Sequence, residues 1–243
     1  MPIHSSAVGP ITTLVIDRQQ RRNALNLDAL EELHAAVVQA AGGGSRAIVL
    51  TGAGGHFCAG ADLTELEDVS FTRRLAEVLH HLADLPLVTI AAIEGSCMGL
   101  GMQLAVASDL RVVGDSARFA VPVSKLGLMV DHWTVDRVTR LFGEGAARMM
   151  ILAGEVLDAD DAWRLGFAQR RGDLDAAQDL AAQVVALAPL TQAGSKIGFD
   201  AHVDNATEVA RYAAAFERAW ASEDLVEGQT AFRERRPPRF GGR

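Results

Sequence analysis

An α/β core of about the first 190 residues, closed by a helical part over residues 191–243, is the architecture this 243-residue sequence predicts. Three observations carry it. Short apolar runs bounded by glycine alternate with stretches of helical spacing in the first half. From residue 134 onward the pattern turns mostly helical. The hydrophobic share, 49%, is that of a globular chain long enough to bury a sizeable core.

The elements follow in order. Residues 11–17, ITTLVID, read as a strand, and the charged, Asn-rich RQQRRNALN as the loop after it. LDALEELHAAVVQAA (27–41) has its apolar residues at helical spacing and stops at Gly42-Gly43-Gly44. RAIVLTG (46–52) and LVTIAAIEG (87–95) are short apolar runs of the kind that form buried strands. Between them, FTRRLAEVLHHLADL (71–85) is helical and Pro86 closes it. GLGMQLAVASD (99–109) reads as a Gly-led helix, and DLRVVG and ARFAV as short strands. TVDRVTRLFG, GAARMMILAG, DADDAWRLG and LDAAQDLAAQVVALAPL are helical, as is the long ATEVARYAAAFERAWASEDLVEGQTAFRERR. The boundary between core and helical part falls near Pro189.

Composition narrows the function. A net charge of -8 argues against nucleic acid as the main partner, while a local Arg cluster could still bind an anionic ligand. Cys58 and Cys97 are the two cysteines, far apart and outside any CxxC pattern, so neither a disulfide framework nor a zinc site is expected. A reducing cytoplasm is the simplest setting. MPIHSSAVGP has no basic region followed by an apolar run, so no signal peptide is expected. The longest apolar runs are broken by Gly or charge, so none should span a membrane.

Two Gly-rich loops hold the chemical interest. HFCAGADL follows RAIVLTG, and EGSCMGLGMQLA follows LVTIAAI. A Gly-rich turn at a helix N-terminus exposes backbone N–H groups at the positive end of the helix dipole. Two such turns side by side could aim two N–H groups at one oxygen, as an oxyanion hole for a thioester carbonyl requires. Gly-rich loops of this kind more often make no more than tight turns. A dinucleotide site does not fit, because GLGMQL lacks the third glycine of GxGxxG.

Taken together, RRNALN (21–26), FCAGADL (57–63), EGSCMGLGMQLAVASDLRVV (94–113) and FAVPVSKLGL (119–128) resemble the enoyl-CoA hydratase, or crotonase, superfamily. The likeness runs over nearly the whole chain, to the closing AFRERRPPRF (231–240). It is greatest to mycobacterial enoyl-CoA-hydratase-like proteins, which share SKxGL followed by D-x-W and a basic RPPxF tail. The resemblance implies a crotonase (ClpP-like) spiral of ββα turns with a C-terminal helical trimerisation part, and homotrimers or hexamers. It implies a fatty acyl-CoA or enoyl-CoA ligand whose thioester oxygen accepts two backbone N–H bonds. Coenzyme A then arrives with the substrate, and no metal or redox cofactor is implied. Residue by residue, the two donors fall at Ala61 and Leu100. Arg22, Ala24, Ala59, Asp62 and Leu63 fall where the family grips the nucleotide and pantetheine. Phe232 and Arg235 fall where a C-terminal helix, often a neighbour's, touches CoA.

The family's hydratases hold and split water with two glutamates. Their positions here carry Gln103 and Val123. Gln holds water by hydrogen bonds but does not exchange a proton near neutral pH, and Val does neither. A positioned acid or base is worth about 10²–10⁴-fold. The sequence thus keeps the groups that bind a thioester and lacks those that move protons. A carrier or sensor of acyl-CoA is one expectation, with fatty-acid synthesis enzymes among its partners. The other is an active isomerase or unusual hydratase using Asp131, with His132 beside it. Asp131 also suits a helix N-cap, and Trp133 suits either an acyl tunnel or the core. For His80-His81, a solvated helix face is the plainer reading than a metal site. Nucleophilic chemistry at Cys58 or Cys97 lacks an adjacent base. The arginines of RERRPPR (233–239) suit CoA phosphates or a solvated tail.

Overall fold

The computed structural model of the chain describes residues 1–64, 69–201 and 205–243. The larger of its two sheets runs in the order β1 (Ile3–Val8), β2 (Ile11–Ile16), β3 (Ala47–Gly52), β4 (Val88–Ile93), β6 (Leu110–Val113) and β9 (Arg170–Arg171). Only β1 and β2 are antiparallel; every other neighbour is parallel. The smaller sheet joins β5 (Ser96–Met98), β7 (Arg118–Ala120) and β8 (Leu157–Asp158). Single parallel bridges, Cys58 to Cys97 and Leu25 to Ala61, carry the pairing on from β5.

This pairing makes a spiral. Each turn lays one strand in the larger sheet, one short stretch in the smaller layer, and then a helix. The first turn is β2, residues 22–25 and α1 (Leu27–Gly42). The second is β3, residues 57–61 and α2 (Val69–Asp84), and the third is β4, β5 and α3 (Leu100–Ala107). The fourth is β6, β7, α4 (Val123–Leu126) and α5 (His132–Phe142). The chain then continues through α6 (Glu144–Arg148), a π-helical turn at Met149–Ala153, and α7 (Ala159–Arg164). Helix α8 (Leu174–Val185) follows, then α9 (Pro189–Asp200), α10 (Ala206–Trp220) and α11 (Glu223–Glu234).

Burial explains why the strands were legible. All of β4 and nearly all of β3 are buried, so they read as continuous apolar runs. One face of the sheet meets Leu30, Leu79, Met102 and the aromatic trio Phe119, Phe142 and Phe167. The other face, through Val49, Ile90 and Val112, meets Ala177 and Ala181 of α8.

Three readings need correction. β1 was not anticipated, because this edge strand buries only Ile3 and its sequence alternates weakly. LDAAQDLAAQVVALAPL is two helices, not one. The residue before a proline disfavours the helical region, and Ala188 is extended at φ -66, ψ 114, so α9 starts afresh at Pro189. A break after residue 190 therefore falls inside the first turn of α9. The segment 206–236 also divides, where the Ser222 side chain accepts the Leu225 N–H and caps α11 at 3.2 Å.

Candidate active site

The site is built where the first three turns of the spiral leave the larger sheet. Asn23 ties them together and is fully buried. Its Nδ2 donates to the carbonyls of Ala53 (2.8 Å) and His56 (2.6 Å), and its Oδ1 accepts the Arg18 N–H at 2.9 Å. Arg22 and Asn23 both take positive φ, 49° and 62°, a conformation Asn tolerates better than most residues. Gly52 completes the joint. A Cβ there would lie 2.0 Å from the His56 carbonyl oxygen and 2.6 Å from Asn23 Nδ2. Asn23→Ala removes three bonds made by a buried side chain to half-buried groups and is expected to cost about 3 kcal/mol of stability. Urea unfolding measures it.

Residues 22–25 then run beside 59–62. Ala59 donates to the Arg22 carbonyl at 3.0 Å, and Leu25 to that of Gly60 at 3.0 Å. Arg22, Ala24, Ala59, Asp62 and Leu63 are thus brought to one rim, with Arg22 and Leu63 exposed. Asp62 is the exception in kind, being buried and turned inward. Its carboxylate accepts the Thr64 hydroxyl (2.7 Å) and pairs with Arg18 (3.3 Å) and, more distantly, Arg21 (3.9 Å). The Thr64 hydroxyl, with the Thr64 N–H and the two guanidiniums, holds its pKa below the usual carboxylate value against the cost of burial.

The two proposed N–H donors follow from the strand register. In a parallel bridge, the residue opposite sends its own N–H to the far side. Leu25 bonds Gly60 O and Asp62 N (2.8 Å), so the Ala61 N–H faces away from Leu25. The loop before α3 lies against Gly60: a Cβ on Gly99 would come within 3.9 Å of Gly60 Cα. Leu100 opens α3, so its N–H has no partner within the helix. Gly99, at φ 50° and ψ -110°, makes the turn that aims it.

A cavity of about 370 Å³ is lined by Thr72, Arg73, Leu75 and Ala76 of α2, by Gln103 of α3, and by Met129, Val130 and Asp131. Gln103 is the buried polar residue among them, and its Nε2 donates to Thr134 Oγ1 at 2.9 Å. Asp131 is exposed and caps α5, accepting the Thr134 N–H at 3.0 Å. Both readings of Asp131 thus meet in one place, as the cap of α5 and at the cavity wall. Val123 is half-buried against the core at the start of α4. It leaves β7 three residues after Ala120, whose carbonyl accepts the Gly99 N–H, so it departs beside the chain that leads to Gln103.

Other residues are placed elsewhere. Trp133 packs against the core between the His80 ring (4.9 Å) and the Arg137 guanidinium (4.8 Å). It lines a separate cleft between α5 and α9. His81 stacks edge-on with His34 at 5.1 Å, and no metal-binding group of His, Cys, Asp or Glu occurs among the described residues. Phe232 is 86% exposed on α11, beside α9 and α10, and Arg235 ends that helix at φ 54°. Arg236 of the basic tail is tied to Glu227 and Glu234. Cys58 and Cys97 are fully buried, and burial pushes the Cys58 thiol up to about 12, which makes it a poor nucleophile. Among the described residues, no helix is long and apolar enough to cross a membrane.

Asn23, Thr64 and Thr134 were not singled out from the sequence.

A spiral of ββα turns with Gly-rich loops at successive strand ends defines a crotonase-fold protein. The family model for enoyl-CoA hydratase/isomerase matches residues 6–243. The chain is 41% identical over 235 residues to probable enoyl-CoA hydratase echA6 of Mycobacterium tuberculosis, covering 96% of both chains. It is 31% identical over 250 residues to human mitochondrial methylglutaconyl-CoA hydratase, covering 96% of this chain and 74% of that one. The crystal structure of enoyl-CoA hydratase from Bacillus anthracis matches it with a TM-score of 0.90 at 26% identity, over the whole of both chains. The chain belongs to the enoyl-CoA hydratase/isomerase family.

Proposed function

We propose that this protein binds fatty acyl-CoA thioesters and turns them over weakly or not at all, serving lipid metabolism as a carrier. Support comes from the Ala61 N–H facing away from Leu25 and the Leu100 N–H at the start of α3, with Gln103 and Val123 where the family's hydratases carry two glutamates. The N–H groups of Ala61 and Leu100 form an oxyanion hole for the thioester oxygen, and the acyl chain enters the cavity beside Gln103. Arg22, Ala24, Ala59 and Leu63 form the rim for the pantetheine and nucleotide. A neighbouring copy's Phe232 and Arg235 close the site in a homotrimer or hexamer. No metal or redox cofactor takes part. A reducing cytoplasm suits the two buried, unbridged thiols, and fatty-acid synthesis enzymes are the partners of such a carrier.

The test is incubation of the pure protein with short and long α,β-enoyl-CoAs, with products resolved by mass and binding measured in the same samples. Saturable binding with unchanged substrate is expected. Hydration at an ordinary enzymatic rate overturns the carrier reading, and a rate abolished in Asp131→Asn assigns the proton transfer to Asp131.

Proline at the first position of a helix removes an N–H at little cost to the helix. Leu100→Pro is therefore expected to weaken acyl-CoA binding about tenfold more than Leu100→Ala, which keeps the donor. Equal losses in titration calorimetry would count against a role for this N–H.

A further inference from the structure

We infer that His56 is a positioning residue: its ring holds the second and third turns of the spiral in register, and so sets the angle at which the Ala61 and Leu100 N–H groups meet a thioester oxygen. The inference rests on the acyl-CoA reading above and deepens it.

In a parallel pair, alternate residues of one strand spend both backbone groups on the other. Cys58 does this. Its N–H donates to the Ser96 carbonyl at 2.9 Å, and its carbonyl accepts the Met98 N–H at 3.0 Å. The same rhythm would give the Ser96 N–H to the carbonyl of His56 and the Leu100 N–H to that of Gly60. Both carbonyls are already engaged by the first turn. Asn23 Nδ2 donates to the His56 carbonyl at 2.6 Å, and the Leu25 N–H to that of Gly60 at 3.0 Å. The first turn therefore releases two N–H groups of the third, and their fates differ. His56 supplies a new partner for Ser96 from its own ring, whose Nδ1 accepts the N–H at 3.1 Å. The Leu100 N–H is left to a ligand.

An imidazole nitrogen that accepts carries no proton, so the tautomer is fixed with its hydrogen on Nε2. The ring reaches Ser96 only across a glycine. At Gly95, with φ 52°, a Cβ would stand 2.6 Å from Nδ1 and 2.2 Å from the Gly55 carbonyl oxygen. The pairing also slips by one residue here, since Phe57 and not His56 donates to the Glu94 carbonyl at 2.8 Å. The ring thus restores a rung that the backbone lacks. Without it, the Ser96 N–H competes with Asn23 for the His56 carbonyl, and the two Gly-rich loops shift against each other below Ala61 and Leu100.

Two measurements on the full chain test this. One is calorimetric titration with octanoyl-CoA and with coenzyme A alone. The other is the infrared stretch of an isotope-labelled thioester carbonyl in bound octanoyl-CoA. In the wild type, two N–H bonds should polarise that carbonyl and lower its frequency on binding. His56→Leu removes the acceptor. It is expected to lower octanoyl-CoA affinity about three- to tenfold, to leave coenzyme A affinity unchanged and to reverse part of the frequency shift. His56→Asn places Oδ1 where Nδ1 stands and should retain both affinity and shift. His56→Gln reaches instead to the Nε2 position and should behave like His56→Leu. A packing role alone would lower both affinities together, with no advantage for Asn. Should His56→Leu fail to fold, the comparison of His56→Asn with His56→Gln decides. Wild-type affinity and shift in His56→Leu, or His56→Asn no better than His56→Gln, overturn the proposal. A wild type that fails to bind octanoyl-CoA, or binds it with no carbonyl shift, overturns the oxyanion reading itself, and this inference with it.

Discussion

Glutamates at both vacant acid positions, Gln103→Glu with Val123→Glu, are expected to raise the hydration of an α,β-enoyl-CoA about 10²–10⁴-fold over the parent protein. The spiral makes this a fair trial. Gln103 and Val123 leave the paired strands β5 and β7 side by side, one four residues beyond Gly99 and the other three beyond Ala120, whose backbones are bonded. The backbone N–H groups of Ala61 and Leu100 are untouched by either change. A carboxylate at residue 103 still meets the Thr134 hydroxyl, which can donate where it now accepts. Burial there disfavours the charged form and raises the pKa, which suits a group that must give and take a proton near neutrality. Either change alone should do little, since the two acids act on one water as a unit. Steady-state hydration followed by loss of the enoyl absorbance decides it. A double variant that binds acyl-CoA normally yet hydrates no faster would show that the missing acids are not what limits the parent.

The sequence made the frame of this site legible because the frame is made of backbone. Strand ends, glycine turns and the first residue of a helix follow from apolar runs and stops. Ala61 and Leu100 were expected from the family likeness, and a backbone N–H survives whatever the side chain. What escaped was side-chain geometry. Asn23 sits between two residues that were picked, yet its three bonds reach Arg18, Ala53 and His56, and no local pattern reveals partners that far apart. Asp62 was expected at a ligand rim together with Ala59 and Leu63. The structure turns it inward, to Arg18 and Thr64. Trp133 was open between tunnel and core, and only the positions of His80 and Arg137 place it in the packing. Pro189 was read as the boundary between core and helical part and not as a helix start, because LDAAQDLAAQVVALAPL keeps helical spacing up to the proline that begins the next helix.

Asp62→Ala is expected to be the most damaging single change at the site, costing about 3 kcal/mol of stability and the greater part of acyl-CoA affinity. Asp62 stands next to Ala61, and its side chain is only 4% exposed. It deprives Arg18 of a carboxylate at 3.3 Å and Thr64 of an acceptor at 2.7 Å. Arg18 also donates to the carbonyl of Ala24, so one guanidinium ties the two strands that carry the rim. With the carboxylate gone, the 59–62 stretch loses its side-chain anchor and the Ala61 N–H its fixed direction. Asp62→Asn keeps the shape and one acceptor, so it should lose less on both counts. The pH dependence separates charge from shape. The folded pKa of Asp62 lies below the ordinary value of 3.8. Its contribution is therefore fully present above that value and is lost as the pH falls through the lowered one. Stability of the wild type should decline more steeply than that of Asp62→Asn below about pH 4. Urea titrations from neutral pH downward give both comparisons. Were Asp62→Ala to bind acyl-CoA undiminished, the aim of the Ala61 N–H would have to be set by the Leu25 and Arg22 backbone bonds alone.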